Sequence, residues 1–182
     1  MHRKPTKEEV ATAAGRKVPD LIKPGLRVLF CGINPGLYSG ATGHHFARPG
    51  NRFWGALHRS GFTPHQVHPF DERLLLEYGL GVTNFVERST ARASDLHDDE
   101  LRAGVERLEA KVARFKPRYV AFCGVSAYRV VFGDNKAAVG PQERALAGAR
   151  VWLLPNPSGL NAHYQLDDLA VEFGRLRTAV SG

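Results

Sequence analysis

Cysteine is scarce in this chain. Cys31 and Cys123 are the only two, and each sits in an apolar run, Val28-Leu29-Phe30-Cys31 and Val120-Ala121-Phe122-Cys123. Two cysteines exclude a Cys-rich zinc or iron–sulfur site, and free core thiols suit a reducing cytosol. Long apolar runs are lacking too. None approaches the roughly 18 residues of a membrane span. Arg3, Lys4 and Lys7 have no apolar stretch behind them that would make a secretory signal. The expectation is a soluble, cytoplasmic monomer with no membrane partner. No phosphate loop ending in Lys-Ser or Lys-Thr occurs. Gly32-x-Asn34-x-Gly36 is not a dinucleotide fingerprint either, because it lacks the third glycine and carries Pro35 in the turn. His44, His45, His58, His65 and His68 lack the spacing of zinc ligands and read as solvated loop residues. No metal and no cofactor is expected.

What remains is an ordinary globular composition with a basic balance. The 182 residues are 43% hydrophobic and 9% aromatic, with a net charge of +7, enough for one domain with a core and a reason to suspect a polyanionic partner. Residues 1–23 are polar and basic and read as a loosely ordered N-terminal arm; residues 24–182 read as a single domain. Within it, Leu26–Ile33 is an apolar run suited to a strand buried on both faces. Asn34–Pro49 reads as a loop, and a helix capped by Asn51 follows. Glu72–Tyr78 has helical character, and Leu80–Val86 reads as a short strand. Glu100–Phe115 carries Leu101, Val105, Leu108, Val112 and Phe115 at helical spacing. Strand Tyr119–Cys123, helix Ser126–Phe132, strand Val151–Leu154 and helix Gln165–Arg177 complete the pattern. Strand followed by helix, repeated, predicts an α/β fold with a mostly parallel sheet.

Two turn-rich segments follow predicted strands: Gly32-Ile33-Asn34-Pro35-Gly36 and Pro155-Asn156-Pro157-Ser158-Gly159-Leu160. In an open parallel sheet such loops converge on one rim. The Asn34 amide offers both a donor and an acceptor, so it could grip a water or a base edge; it could equally close the loop as an Asx turn. Asn156 poses the same choice. Leu160, after Ser158 and Gly159, suits an apolar wedge between base steps or the first apolar residue of the next element. Tyr38 and Phe46 offer stacking surface. Arg48, Arg52, Arg59, Arg88 and Arg92 could lie over phosphates or be ordinary surface charge. Asp95 could be a general base or a turn cap paired to Arg92.

Together, Gly32-Ile33-Asn34-Pro35-Gly36-Leu37, Phe46-Ala47-x-Pro49-x-Asn51-Arg52-Phe53-Trp54 and Asn156-Pro157-Ser158-Gly159-Leu160 resemble the mismatch-specific uracil-DNA glycosylases, relatives of thymine-DNA glycosylase. The resemblance runs from about Leu26 to the closing helix. It implies an α/β/α sandwich around a short, mostly parallel sheet. It implies hydrolysis of the bond between a flipped uracil, or related pyrimidine, and deoxyribose in double-stranded DNA, especially opposite guanine, with no lysine Schiff base, metal or cofactor. Asn34 takes the place of the water-positioning asparagine. Ile33 and Gly36 put backbone around the pocket, and Phe46 matches the aromatic that stacks on the base. Asn156 and Ser158 belong to the DNA-binding loop, Gly159 lets backbone approach DNA, and Leu160 matches the wedge.

The departures are specific. Asn161-Ala162-His163 stands where the bacterial type has Ser-Arg after the leucine, so His163 is the residue left to act there. Tyr38 replaces a small residue at the pocket mouth, and Asn84 is closer to the thymine branch. Asp95 would supply a carboxylate that the family's asparagine does not. The competing expectations are a non-catalytic DNA damage sensor on the same scaffold and a nucleoside hydrolase. The net charge and the wedge loop disfavour the second.

Overall fold

The structure, a computed structural model, describes residues 2–182. Its strands are β1 (Val28–Gly32), β2 (Leu80–Asn84), β3 (Tyr119–Cys123), β4 (Gly140–Leu146) and β5 (Ala149–Leu154). Its α-helices are α1 (Lys7–Ala11), α2 (Leu37–Thr42), α3 (Phe53–Arg59), α4 (Leu74–Glu77), α5 (Asp98–Phe115), α6 (Val125–Phe132) and α7 (Leu166–Ser181). The strands form one sheet in the order β2-β1-β3-β5-β4, parallel except for the final β4–β5 pair.

The two-residue period of a strand divides each apolar run between two cores. Val28, Phe30, Tyr119, Ala121, Trp152 and Leu154 face one core, shared with Phe53, Leu57, Leu169, Phe173 and Leu176 of α3 and α7. Leu29, Cys31, Val120, Phe122, Val151 and Leu153 face the other, against Leu101, Leu108 and Val112 of α5 and Tyr128 of α6. This is the expected three-layer α/β/α sandwich. Both cysteines are free and buried. Burial pushes the Cys123 thiol up to about 12, and Cys31 rises chiefly for the same reason, so neither is a nucleophile at neutral pH.

The sheet order positions the site. From β1 the chain adds β2 on one side and later β3 on the other, so a crevice opens beyond the C-terminal end of β1. α5 starts at Asp98, two residues before the Glu100 start expected from sequence. Asp98, Asp99 and Glu100 lie in its first turn, where carboxylates favour the helix N-terminus.

Three expectations need correction. β4 was not anticipated: Gly-Pro-Gln-Glu-Arg-Ala-Leu is polar and contains Pro141, which only an edge strand tolerates, and β4 is that edge. α2 lies inside the segment read as a loop, a six-residue helix containing Gly40. The N-terminal arm is not loose. Thr6 and Glu9 form a capping box on α1. Ala13, Val18 and Leu21 are buried. Leu21 exchanges two 2.9 Å backbone hydrogen bonds with Val82, covering the free edge of β2. Among the described residues no helix is long and apolar enough to cross a membrane.

Candidate functional site

The crevice is a cavity of about 890 Å³. Its wall gathers the loops after all four parallel strands: Ile33, Asn34 and Gly36 after β1, Thr90 and Arg92 after β2, Gly124 and Ser126 after β3, and Asn156, Ser158 and Leu160 after β5. Tyr38, Phe46, Asn84 and His163 also line it, and Cys123 contributes to its surface. Of the residues proposed from sequence as catalytic, base-binding or part of the DNA-binding loop, Asp95 and Gly159 fall outside this lining, and so do Arg52, Arg59 and Arg88 among the arginines.

Asn34 is held by one end only. Its Nδ2 donates toward Pro35 O at 3.2 Å, Arg88 O at 3.0 Å and Thr90 Oγ1 at 2.8 Å. Acceptors on that side require the nitrogen there, which fixes the amide's orientation. Thr90 Oγ1 donates in turn to Arg92 O at 2.7 Å, so the hydroxyl can only accept from Asn34. The Asn34 oxygen has no protein partner among the described residues, and it is not a buried unsatisfied atom. An acceptor is therefore left for a small donor, such as water, at the cavity wall. Asn34 forms no Asx turn: its nitrogen ties the loop across to Arg88 and Thr90, and its oxygen is free. Thr90 escaped the sequence reading because its partner lies 56 positions away.

Phe46 sits in an unfavourable backbone region, φ 49°. Its neighbours hold it there. One face stacks on Phe53 with centroids 4.2 Å apart, and its carbonyl accepts from Trp54 Nε1 at 3.2 Å. Buried Glu72 anchors the preceding residues, accepting from the His45 backbone N–H at 2.7 Å and lying 3.1 Å from His44 Nδ1. Beside Phe46, the Asn84 side chain makes no hydrogen bond within the described protein and lines the cavity. Gly32 makes that possible. A Cβ on Gly32 would stand 2.5 Å from Asn84 Oδ1 and 3.4 Å from Phe46 Cζ.

His45 overturns the reading of the histidines as solvated. It is buried, and its Nε2 lies 2.8 Å from Pro19 O, which makes Nε2–H the donor. Burial pushes its pKa below the ordinary 6.5, outweighing the pull of Glu72. The sign follows directly: the unfolded chain binds this proton more readily, so the stability is complete above about pH 6.5 and is lost as pH falls through the folded value. The melting temperature should therefore drop more steeply below pH 6.5 in the parent than in His45→Gln. Parallel curves would dismiss this source of acid sensitivity.

The loop after β5 is tied into successive turns. Asn156 Oδ1 accepts from Ser158 N at 2.9 Å, Ser158 Oγ from Leu160 N at 3.2 Å, and Asn161 Oδ1 from His163 N at 3.0 Å. Asn156 is thus an Asx-turn residue whose Nδ2 stays free. Arg52 braces the loop, donating to Asn161 O at 3.0 Å, Tyr164 O at 2.6 Å and Gly159 O at 3.3 Å. Gly159 is required by a neighbour within the protein: a Cβ there would be 2.8 Å from Gly50 O. The result is Leu160 held outward at the cavity rim with 75% of its surface exposed.

Several charged residues have other duties. Arg52 is the brace just described, and Arg59 pairs with Asp167. Arg88 forms a two-armed pair with Glu100, 2.8 Å in each arm, and that hydrogen bonding holds the Glu100 carboxyl down to about 2. Arg48 and Arg92 remain on the cavity rim. Asp95, read as a general base or a turn cap, has the geometry of the cap and lies outside the cavity lining. Its Oδ2 accepts from Arg92 N at 3.0 Å and its Oδ1 faces Arg92 Nη2 at 3.5 Å. No described carboxylate or lysine lines the cavity. Asp95→Asn should leave any chemistry in this cavity within about twofold of the parent, since a base must reach its proton directly or through one water. A tenfold loss in single-turnover rate at equal substrate affinity would reinstate the carboxylate.

Comparison with known proteins agrees with this architecture. Residues 19–174 match the family model described as the uracil DNA glycosylase superfamily. The fold is similar to the solution NMR structure of a candidate uracil DNA glycosylase from Methanosarcina acetivorans, with a TM-score of 0.60 and 17% identity, over 90% of this chain and 98% of that one. At that identity the likeness speaks for the fold.

Proposed function

The chain belongs to the uracil DNA glycosylase superfamily, and from that footing we propose that it excises uracil from DNA by hydrolysis of the N-glycosidic bond, favouring uracil opposite guanine. The observation that carries the reading is the free Asn34 oxygen in the same cavity as Phe46 and Asn84. A base turned out of the duplex stacks on the open face of Phe46, whose other face is held by Phe53. Such stacking is worth about 1–3 kcal/mol. The unpartnered Asn84 amide offers a donor and an acceptor to the base edge, where uracil presents carbonyl oxygens beside an N–H.

Asn34 Oδ1 then accepts a hydrogen bond from water and aims its lone pair at C1′. An amide is not a base, and the cavity lining supplies no carboxylate. Departure of the base must therefore lead the reaction. The C1′–N1 bond breaks with its electron pair on the base. Water oxygen bonds to C1′ and loses a proton, and the base anion takes one up. The products are free uracil and an abasic sugar. Leu160 fills the vacated stack, and Arg48 and Arg92 face the phosphates.

Preference for a mismatch follows from energy rather than contacts. Extrusion costs unpairing and unstacking, least for a base already poorly paired. The test is excision from matched single-stranded, U:A, U:G and T:G oligonucleotides. Abasic product fastest from U:G is the expected result. Tight binding with no abasic product from any of them would make the protein a damage sensor instead.

A further inference from the structure

Beyond the aromatic wall of the site lies a second cavity of about 540 Å³. Tyr38, Phe46, Arg48 and Asn51 line both cavities, so the two adjoin across these side chains. The remaining wall comes partly from the N-terminal segment, through His2 and Lys4, and partly from the loop before α4, through Gln66, His68 and Phe70. His2 docks the segment there. Its ring stacks flat on His68, centroids 4.3 Å apart and 7° between planes, meets Phe70 edge-on at 5.2 Å, and its Nε2 lies 3.3 Å from Asp71 Oδ2. Arg3 is engaged by Glu9. Lys4 and Arg48 have no carboxylate partner among the described residues, and no described carboxylate lines the cavity.

We propose that this second cavity is a subsite for the nucleotide adjoining the extruded one on the same strand. The inference rests on the reading that the chain acts on DNA. Flat aromatic and imidazole rings beside two free cations match the chemistry of a nucleotide, a planar base joined to an anion. The amides of Asn51 and Gln66 supply hydrogen-bonding groups next to them. The volume lies within the roughly 300–1,000 Å³ of small-molecule sites. The shared walls place the subsite next to the base cavity, with Tyr38 and Phe46 as the partition. His2 and Lys4 precede residue 19, where the family match begins, so part of the subsite wall lies outside the matched residues. It gives the protein a hold on DNA that needs no complementary strand.

The full chain should be titrated by fluorescence anisotropy against short single-stranded oligonucleotides containing one 2′-fluoro-2′-deoxyuridine, whose glycosidic bond resists hydrolysis. In parallel probes the base of the 5′ or the 3′ neighbour is replaced by an abasic spacer. One spacer should weaken binding about tenfold and the other little. His68→Ala should shrink that penalty to less than twofold. Lys4→Glu, at an exposed position, should weaken the intact probe severalfold with an unchanged melting temperature, and it carries the test if His68→Ala does not fold. Equal affinity for all three probes, a spacer penalty unchanged in folded His68→Ala, or unchanged affinity of Lys4→Glu for the intact probe overturns the subsite. Excision of uracil from a long duplex by the parent is scored separately. Excision without a spacer penalty retains the proposed function and removes the subsite, whereas a penalty abolished by the variants without excision does the reverse. No binding to any probe removes the subsite.

Discussion

Asn34→Ala is expected to lower the single-turnover rate of uracil excision by about two to three powers of ten, with most DNA affinity retained. The side chain supplies one acceptor toward the reacting water, and the cavity lining contains no carboxylate to replace it. Losing the Nδ2 bonds to Pro35, Arg88 and Thr90 should cost about 1 kcal/mol of stability, because partly exposed hydrogen bonds contribute modestly. Thr90→Val separates orientation from presence. It keeps the shape and removes the acceptor nearest Nδ2, leaving the amide freer to turn, so a rate loss of about tenfold is expected. A folded Asn34→Ala protein with at least half the parental chemical rate would sink the assignment. If Thr90→Val then matched the parent as well, the whole amide geometry would be without catalytic meaning.

Leu160→Ala should reduce excision about tenfold from a paired U:A site, less from U:G, and hardly at all from single-stranded DNA. The leucine is displayed rather than buried, at 75% exposure, on a loop braced by Arg52 and by its own Asx and serine turns. Little ordering remains to be done when it enters the duplex. Filling the vacated stack slows return of the base, and that matters most where return is most favourable. Single-stranded uracil is the internal control, since it has no partner strand to invade. The quantity to compare is the mutant-to-parent ratio of single-turnover rates on the three substrates. Equal losses across them would point to a general defect in the pocket and remove the wedge.

The expected weakness of Asp95→Asn and the strength of Asn34→Ala belong together. A glycosylase cavity without a carboxylate depends on stabilising the departing base and on placing water, not on making hydroxide. The steepest pH response should then come from folding, through neutral His45 beneath the Phe46 loop, and not from a catalytic base.

Much of this was legible in the order of residues. Short apolar runs within Leu26–Ile33 and Tyr119–Cys123 suit strands covered on both faces, and the 3.6-residue period of Glu100–Phe115 suits a helix buried on one side; both are local consequences of side-chain geometry. The turn-rich segments after β1 and β5 likewise marked Asn34 and Leu160 as wall residues of one crevice, Phe46 stood out as stacking surface in the loop between, and Asn84 came with the family resemblance. What local pattern could not decide was which polar atoms remain free. Asn34 owes its orientation to Thr90, Arg88 and Pro35, Asn84 owes its open amide to the missing Cβ of Gly32, and Asp95 is taken up by the Arg92 backbone. Arg52, open in sequence between a phosphate contact and ordinary surface charge, is a loop brace through carbonyls more than 100 positions away. The basic N-terminal segment looked unstructured because its few apolar residues, Ala13, Val18 and Leu21, show no period, yet each meets a buried surface. Hydrophobic periodicity is written into neighbouring residues and sets the layers of the fold. Hydrogen-bond partnership is settled only when distant segments meet, and it is that partnership that leaves one amide oxygen of Asn34 available for chemistry.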